Sequence, residues 1–340
     1  MCPLLVPAWQ QVPLPLRWSY WEGLEEERYA FREALDREAE AWTRNPQGFL
    51  EAYAALPGSF GGRLHNADLL ATLLPSLQAN PTQGYEALED PACRAMVHLN
   101  TLGKRVRDRA LEGAEGRPVM VLMGGQASGK TTGALALGEE FGAVVDAPHT
   151  EPEALAFTLR RILAQEEQRP QLRHPDLHLA WVHRSPEGSL YAMLERAVRE
   201  GRFVPLDRLA RTHAQAPHAF LEFAPLLDTG VHLYFVHTRY GKAPEVWLDG
   251  EAVQQAEALE KPTADTLAHR IQDRYLQLLR NPPNDTRTWY PRDVLAGLNR
   301  TLDPWRRPEA DHLLQRLCEA MARGGPEGGP AASGGREAGP

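Results

Sequence analysis

Lysine is nearly absent from this 340-residue chain: Lys104, Lys130, Lys242 and Lys261 are four residues in a basic total of 37, the rest being arginine. Positive charge is carried almost entirely by guanidinium groups, so a position that keeps a compact ammonium keeps it for a reason of shape. Cysteine is rarer still. Cys2, Cys93 and Cys318 stand far apart and match no metal or redox spacing, which argues against a disulfide framework and leads us to expect reduced thiols in a cytoplasmic protein. A basic surplus is also missing. The 45 acidic residues leave a net charge of −8, so a general nucleic-acid binder is not expected, although a local basic pocket for a phosphate would be invisible in that sum. The first segment has neither a basic n-region nor an unbroken apolar run, because Pro3, Pro7, Pro13 and Pro15 interrupt it; we read no signal peptide and no membrane span there. A mobile, Pro-rich arm is expected over 1–20, and a disordered tail over 324–340, where no large apolar residue occurs. The whole chain is 43% hydrophobic, ordinary for a soluble globular protein of about two domains.

The strongest pattern lies between Arg117 and Thr132. Val119 to Met123 is apolar, Gly124 follows, and Gly129-Lys130-Thr131 completes G-x-x-x-x-G-K-[ST] where a strand should turn into a helix. This is a Walker A phosphate loop. Its glycines let backbone N–H groups converge on phosphate oxygens, and a helix starting near Gly129 points its positive dipole end at the same anion. The pattern nominates Gly124, Gly125, Gln126, Ala127, Ser128, Gly129, Lys130, Thr131 and Thr132 for nucleotide binding. Lys130 would reach the β- and γ-phosphates, and the Thr131 hydroxyl would ligate Mg²⁺. Arginine is too bulky and planar for that cradle, which explains one of the few lysines.

Around this loop the chain divides by periodicity. Residues 21–112 read as helical: Leu24, Phe31, Leu35, Ala39 and Trp42 share one helix face that Asn45-Pro46 ends. Gly61-Gly62-Arg63 reads as a turn into a second helix capped by Asn66 or Asp68, and the run Lys104 to Arg109 on a third helix reads as a solvated face. Over 113–250, strands at 119–123, 143–146, 177–183 and 231–237 alternate with helices, which implies a parallel α/β sheet of P-loop NTPase type flanked by helices; Val246-Trp247-Leu248 is a candidate edge strand. One helix is expected from Leu206 and another around His218 to Leu227. Residues 251–323 return to helix, with Leu267, Ile271, Tyr275 and Leu278 in one stripe.

In an open parallel sheet, ligands gather at the carboxyl ends of the strands, so the polar residues ending each apolar run are candidates. Asp146 ends the strand after the loop helix, where a carboxylate serves either as a Mg²⁺ ligand or as a base for a substrate hydroxyl; the alternative is a helix cap shared with Thr150. His149 lies in the same loop. Arg196, Arg199 and Arg202 recur every three residues at a helix end, placed either to neutralise a transferring phosphoryl group or to complement the helix dipole.

A family resemblance rests on these residues. Gly124 to Thr132, Val144-Val145-Asp146, the run from Ala180-Trp181-Val182-His183-Arg184 through Glu195-Arg196-Ala197 to Gly201-Arg202-Phe203-Val204-Pro205, and Ala210-Arg211-Thr212-His213 resemble the zeta-toxin-like P-loop kinases. The resemblance implies an ATP- or GTP-dependent, Mg²⁺-requiring kinase that phosphorylates a hydroxyl of a small molecule, UDP-N-acetylglucosamine in the best known toxins. It implies Lys130 and Thr131 at the nucleotide and metal, Asp146 as the carboxylate of the second strand, and Arg196 and Arg202 as charge-neutralising catalytic groups. A protein partner, antitoxin-like, would engage the helical regions. Two positions depart from the family: Asp146 is the single carboxylate after the second strand, and His237-Thr238 stands where relatives often have Asp-Asn. These keep open a nucleotide-binding interaction module without transfer; a nucleic-acid 5′-kinase is disfavoured by the charge.

Overall fold

The structure is a computed structural model that describes residues 25–81, 84, 87–88, 92–114, 116–136, 140–146, 150, 152–168, 177–200, 204–239, 242–281 and 292–323; the expected arm over 1–20 and tail over 324–340 lie outside them. Helix α1 (Glu25–Arg44) buries Leu35 and Ala39 completely, with Phe31 and Trp42 alongside, as its spacing predicts. Asn45-Pro46 ends α1 and at once starts α2 (Pro46–Ala54). The Asn45 carboxamide accepts from Gly48 N at 3.1 Å, and Pro46 occupies the first helical position, where a missing N–H does no harm.

The all-helical reading of 21–112 fails at the next segment. Phe60, Gly61 and Gly62 take left-handed φ angles of 52°, 69° and 85°, and the chain turns into a strand, β1 (Leu64–Asn66). Arg63 closes that turn by donating to Phe60 O and Phe141 O, each at 3.2 Å, so the Gly-Gly-Arg segment is a structural corner. Three residues cannot display an alternation. This strand forms because a sheet edge is offered to it, through the pairs Leu64↔Val144 to Asn66↔Asp146. Helices α3 (Ala67–Ala71), α4 (Pro75–Ala79) and α5 (Ala95–Glu112) follow, and Leu70, Leu77, Leu99, Leu102 and Val106 close a core with α1 and α2. The basic run of α5 is only partly solvated: Lys104, Arg105 and Arg109 are exposed, but Arg107 is buried, because it falls on the same face as Gly103, which packs against β1.

The remaining elements are β2 (Val119–Met123), α6 (Lys130–Ala136), β3 (Ala143–Asp146), α7 (Pro152–Gln168), β4 (Leu177–His183), α8 (Pro186–Glu200), α9 (Leu206–Glu222), β5 (His232–His237), β6 (Glu245–Leu248), α10 (Asp249–Ala258), α11 (Ala264–Arg280), α12 (Arg292–Arg300) and α13 (Arg307–Arg323). The sheet order is β1-β3-β2-β4-β5-β6, parallel throughout except for β6. Every residue of β2 is buried because helices cover both faces. Val119, Val121 and Met123 meet α7, α9 and α10 on one side, while Met120 and Leu122 meet Ala134 of α6 on the other. Trp181 of β4 anchors the first side, its ring 5.4 Å from Phe220 and 5.1 Å from Phe235.

The two helices expected here, the second starting around His218, are one helix that runs through to Glu222; a turn at Phe223 then leads into a 3-10 helix, Ala224–Thr229. Pro217 sits inside α9, and the hydrogen bond it forgoes is offset by burial of Ala216, Ala219 and Phe220 on the sheet. Helices α11, α12 and α13 pack on α8 and α9 through Leu190, Leu194, Leu209, Leu267, Ile271 and Tyr275. Among the described residues, no helix is long and apolar enough to cross a membrane.

Candidate functional site

Strand β2 runs directly into the Gly-rich loop, and α6 starts at Lys130. Gly124 takes φ 145° with its α-carbon pressed on β4; a β-carbon there would lie 2.3 Å from Val182 O. Gly129 takes φ 88°, and a β-carbon would lie 2.8 Å from the Arg184 guanidinium. Gly124 is therefore required by shape as well as by backbone angle, and Gly129 by its backbone angle. Gly124→Ala is expected to destabilise the fold by at least about 2 kcal/mol, through overpacking and strain, as read by urea denaturation.

The loop is held from three sides. Thr212 Oγ1 of α9 accepts from Gln126 N at 3.0 Å, and His213 Nε2 donates to Gln126 O at 2.9 Å. Arg184, just after β4, donates to Ala127 O at 3.3 Å and to Thr238 Oγ1 at 3.2 Å, and Thr238 donates in turn to Ser128 O at 2.6 Å. Ala127 itself is left-handed, at φ 56°. Gly133 N bonds back to Gly129 O at 2.8 Å, so the amides preceding it form the unpaired first turn of α6. Lys130 Nζ folds over the loop and donates to Gly124 O at 3.4 Å and Gly125 O at 3.2 Å. Thr131 and Thr132 are exposed at the rim, and Ser128 is buried with its hydroxyl unpartnered among the described residues.

Asp146 ends β3 opposite Leu122, one strand across from the loop entrance. Its carboxylate accepts from Asn66 Nδ2 at 2.7 Å, and the Thr150 hydroxyl pairs with Gln215 at 3.4 Å. Burial raises the Asp146 pKa, opposed by the charge of Lys130, assisted by Asp68, and opposed again by the Asn66 bond and Arg196. Asn66 serves twice, since its Oδ1 also caps α3 by accepting from Asp68 N and Leu69 N. Arg196 of α8 reaches Asp68 across the cleft at 3.6 Å. A second carboxylate, Asp68 of the N-terminal region, thus stands near enough to Asp146 to raise its pKa further. Arg202, like His149, lies outside the described residues.

Loop, Asp146, Asp68 and Arg196 line one cleft of about 2110 Å³. Three of the chain's four lysines, Lys104, Lys130 and Lys242, line it too, together with Arg107, Arg184, Arg208, Arg211 and Arg239, on a chain of net charge −8. The overall acidity conceals a concentrated cationic pocket, which favours a polyanionic ligand. Sequence reasoning did not single out Arg184, Thr212, His213 and Thr238 as loop supports, nor Asn66 as the partner of Asp146. Each acts across more than fifty positions of chain, a separation that leaves no local pattern.

Three imidazoles here are held neutral. Burial, then the charge of Arg107, lowers His65 to about 4; burial lowers His183 to about 3, next to His213 and His237; and burial lowers His213 to about 4, despite its bond to Gln126 O. The unfolded chain takes up these protons near pH 6.5 and the folded chain does not, so their contribution to stability is complete above pH 6.5 and shrinks as the pH falls toward 4. Stability from urea titrations is expected to drop across that window, each imidazole contributing up to about 1.4 kcal/mol per pH unit, offset in part by Asp146, whose raised pKa acts in the opposite sense. A flat profile would show that these imidazoles take up protons while the chain is folded.

No protein-family model matches the chain. No curated protein matches it either. Among solved structures, a chain in the crystal structure of the native AvrRxo1-ORF1:-ORF2 complex aligns over 72% of this chain and 93% of its own, with 14% identity and a TM-score of 0.32. A likeness at that score carries no argument about function. What stands from the chain itself is an α/β protein with a mostly parallel six-stranded sheet, flanked by helices.

Proposed function

We propose that the protein is a nucleoside-triphosphate-dependent phosphotransferase of zeta-toxin-like P-loop architecture, which transfers a phosphoryl group to a hydroxyl of a small molecule. One observation carries the reading: the Gly-rich loop, its lysine, a buried carboxylate and an arginine from a different helix line a single cleft at the carboxyl ends of the parallel strands. The donor set fits a triphosphate. Left-handed glycines, the unpaired first turn of α6 and an ammonium resting on carbonyls that compete poorly with phosphate form an anion cradle. Thr131 and Asp146 fit the hard oxygen ligands that Mg²⁺ requires, and that ion would supply neutralisation of phosphate charge.

Lys130 would leave the carbonyls of Gly124 and Gly125 for the phosphate oxygens, and Arg196 would stabilise charge that builds up on transfer. Asp146 would take the proton of the acceptor hydroxyl, a role suited by a carboxylate whose pKa is raised. Asp68, bound to Arg196, would hold that guanidinium over the cleft. The interaction-module reading rests on the single carboxylate after the second strand and on His237-Thr238; Asp68 weakens the first of these grounds. A thermal-shift series with ATP, GTP and their non-hydrolysable analogues, with and without Mg²⁺, tests the nucleotide step, because ligand bound to the native state raises the transition by mass action. A transition that no nucleotide shifts rules the reading out.

A further inference from the structure

Among the described residues, Arg107 is a cation with too little counter-charge. It is 8% exposed, and its Nη2 lies 3.3 Å from Asp108 Oδ1. Asp108 is shared with Arg161, at 3.4 Å, so two guanidiniums divide one carboxylate. The remaining titratable neighbour, His65, adds none, since burial and Arg107 keep its ring neutral. Arg107 Nε has no hydrogen-bond partner among the described residues. A buried cation in this condition is unfavourable unless something anionic completes it.

Arg107 also lines the cleft that holds the phosphate loop. Met96, Leu99, Gly103 and Arg107 recur at helical spacing and present one face of α5 to that cleft, with exposed Lys104 at its rim. Gly103 lets this face approach β1, for a β-carbon there would lie 2.9 Å from Leu70 and 3.2 Å from His65 Nε2. His65 precedes Asn66, the residue that holds Asp146. A single ligand site occupies roughly 300–1,000 Å³, and about 2110 Å³ leaves room for a second molecule beside a nucleotide.

We infer that α5 is the acceptor wall of the cleft: Arg107, aided by Lys104, binds an anionic group of the acceptor, a phosphate or a carboxylate, while Leu99 and Met96 take its apolar part. The role of acceptor rests on the phosphotransferase reading; the anion site does not.

The test titrates inorganic phosphate into the full chain carrying Lys130→Met, which disables the loop, and follows heat by calorimetry. One phosphate site is expected, weakened at least tenfold by adding Arg107→Gln. Undiminished binding in that variant overturns the inference. If circular dichroism shows that Arg107→Gln does not fold, Lys104→Glu on the exposed rim replaces it; a loss of at least threefold supports the site, and unchanged affinity overturns it. A parallel titration with malonate distinguishes a carboxylate-bearing acceptor from a phosphorylated one by which anion binds more tightly, and binding of neither removes the site. Failure of the wild-type chain to bind nucleotide would sink the kinase reading while leaving the Arg107 result intact. Nucleotide binding together with phosphate binding that is indifferent to Arg107 would do the reverse.

Discussion

Lys130→Met is expected to lower phosphoryl transfer by about 100- to 1,000-fold, the usual effect of deleting one preorganised charge-stabilising donor. The fold should survive, because Lys130 makes only two long bonds, at 3.4 and 3.2 Å, both to carbonyls of its own loop. Transfer measured with labelled ATP, alongside a thermal transition within a few degrees of the wild type, checks both halves. Lys130→Arg should not rescue the activity: the planar fork does not fit where Gly124 and Gly125 present their carbonyls, and Arg184 already reaches Ala127 O on the other side of the loop. Normal transfer by Lys130→Met would remove the loop from the chemistry.

Asp146→Asn should reduce transfer about 100- to 10,000-fold, the range for loss of a general base, while nucleotide affinity stays within a few-fold. The isosteric amide can still accept from Asn66 Nδ2, so the contact at 2.7 Å that ties β1 to β3 is kept. Stability gives an independent readout. Because the Asp146 pKa is raised in the folded chain, ionisation at neutral pH opposes folding. Asp146→Asn should therefore be more stable than the wild type at pH 7, and the difference should fade as acid returns the proton to Asp146. A variant that loses transfer but gains no stability would mean that the carboxylate is not desolvated.

The central strands and their loop were legible because chemistry and periodicity coincide there. Val119 to Met123 is an unbroken apolar run bounded by Gly124, and the structure ends β2 at Met123. Leu177–His183, Ala143–Asp146 and the edge strand at Glu245–Leu248 were legible for the same reason. Strand β1 was not, since Leu64-His65-Asn66 is too short to carry a period and is held by its neighbour. The loop pattern nominates Lys130 and Thr131 from local spacing, whereas the supports have no signature: the Thr212 and His213 contacts join positions 86 and 87 residues apart. Arg107 was misread because charge density along a helix says nothing of which side the charges take. The departure at His237-Thr238 has a structural role, with Thr238 bracing Ser128 O and Arg184.

Strand β1 lies at the outer margin of the sheet although it comes first in the chain, and its partner, β3, arrives about eighty positions later. During synthesis the N-terminal helices emerge with Leu64–Asn66 unpaired, and that strand can dock only after the loop, α6 and β3 have left the ribosome. Deleting the N-terminal region would uncover the β3 edge and strip Asp146 of Asn66. Cleavage between 113 and 118 should instead leave two fragments that copurify, held by that parallel pairing together with Ala110 and Leu111 of α5 in the sheet core and the Arg196–Asp68 ion pair.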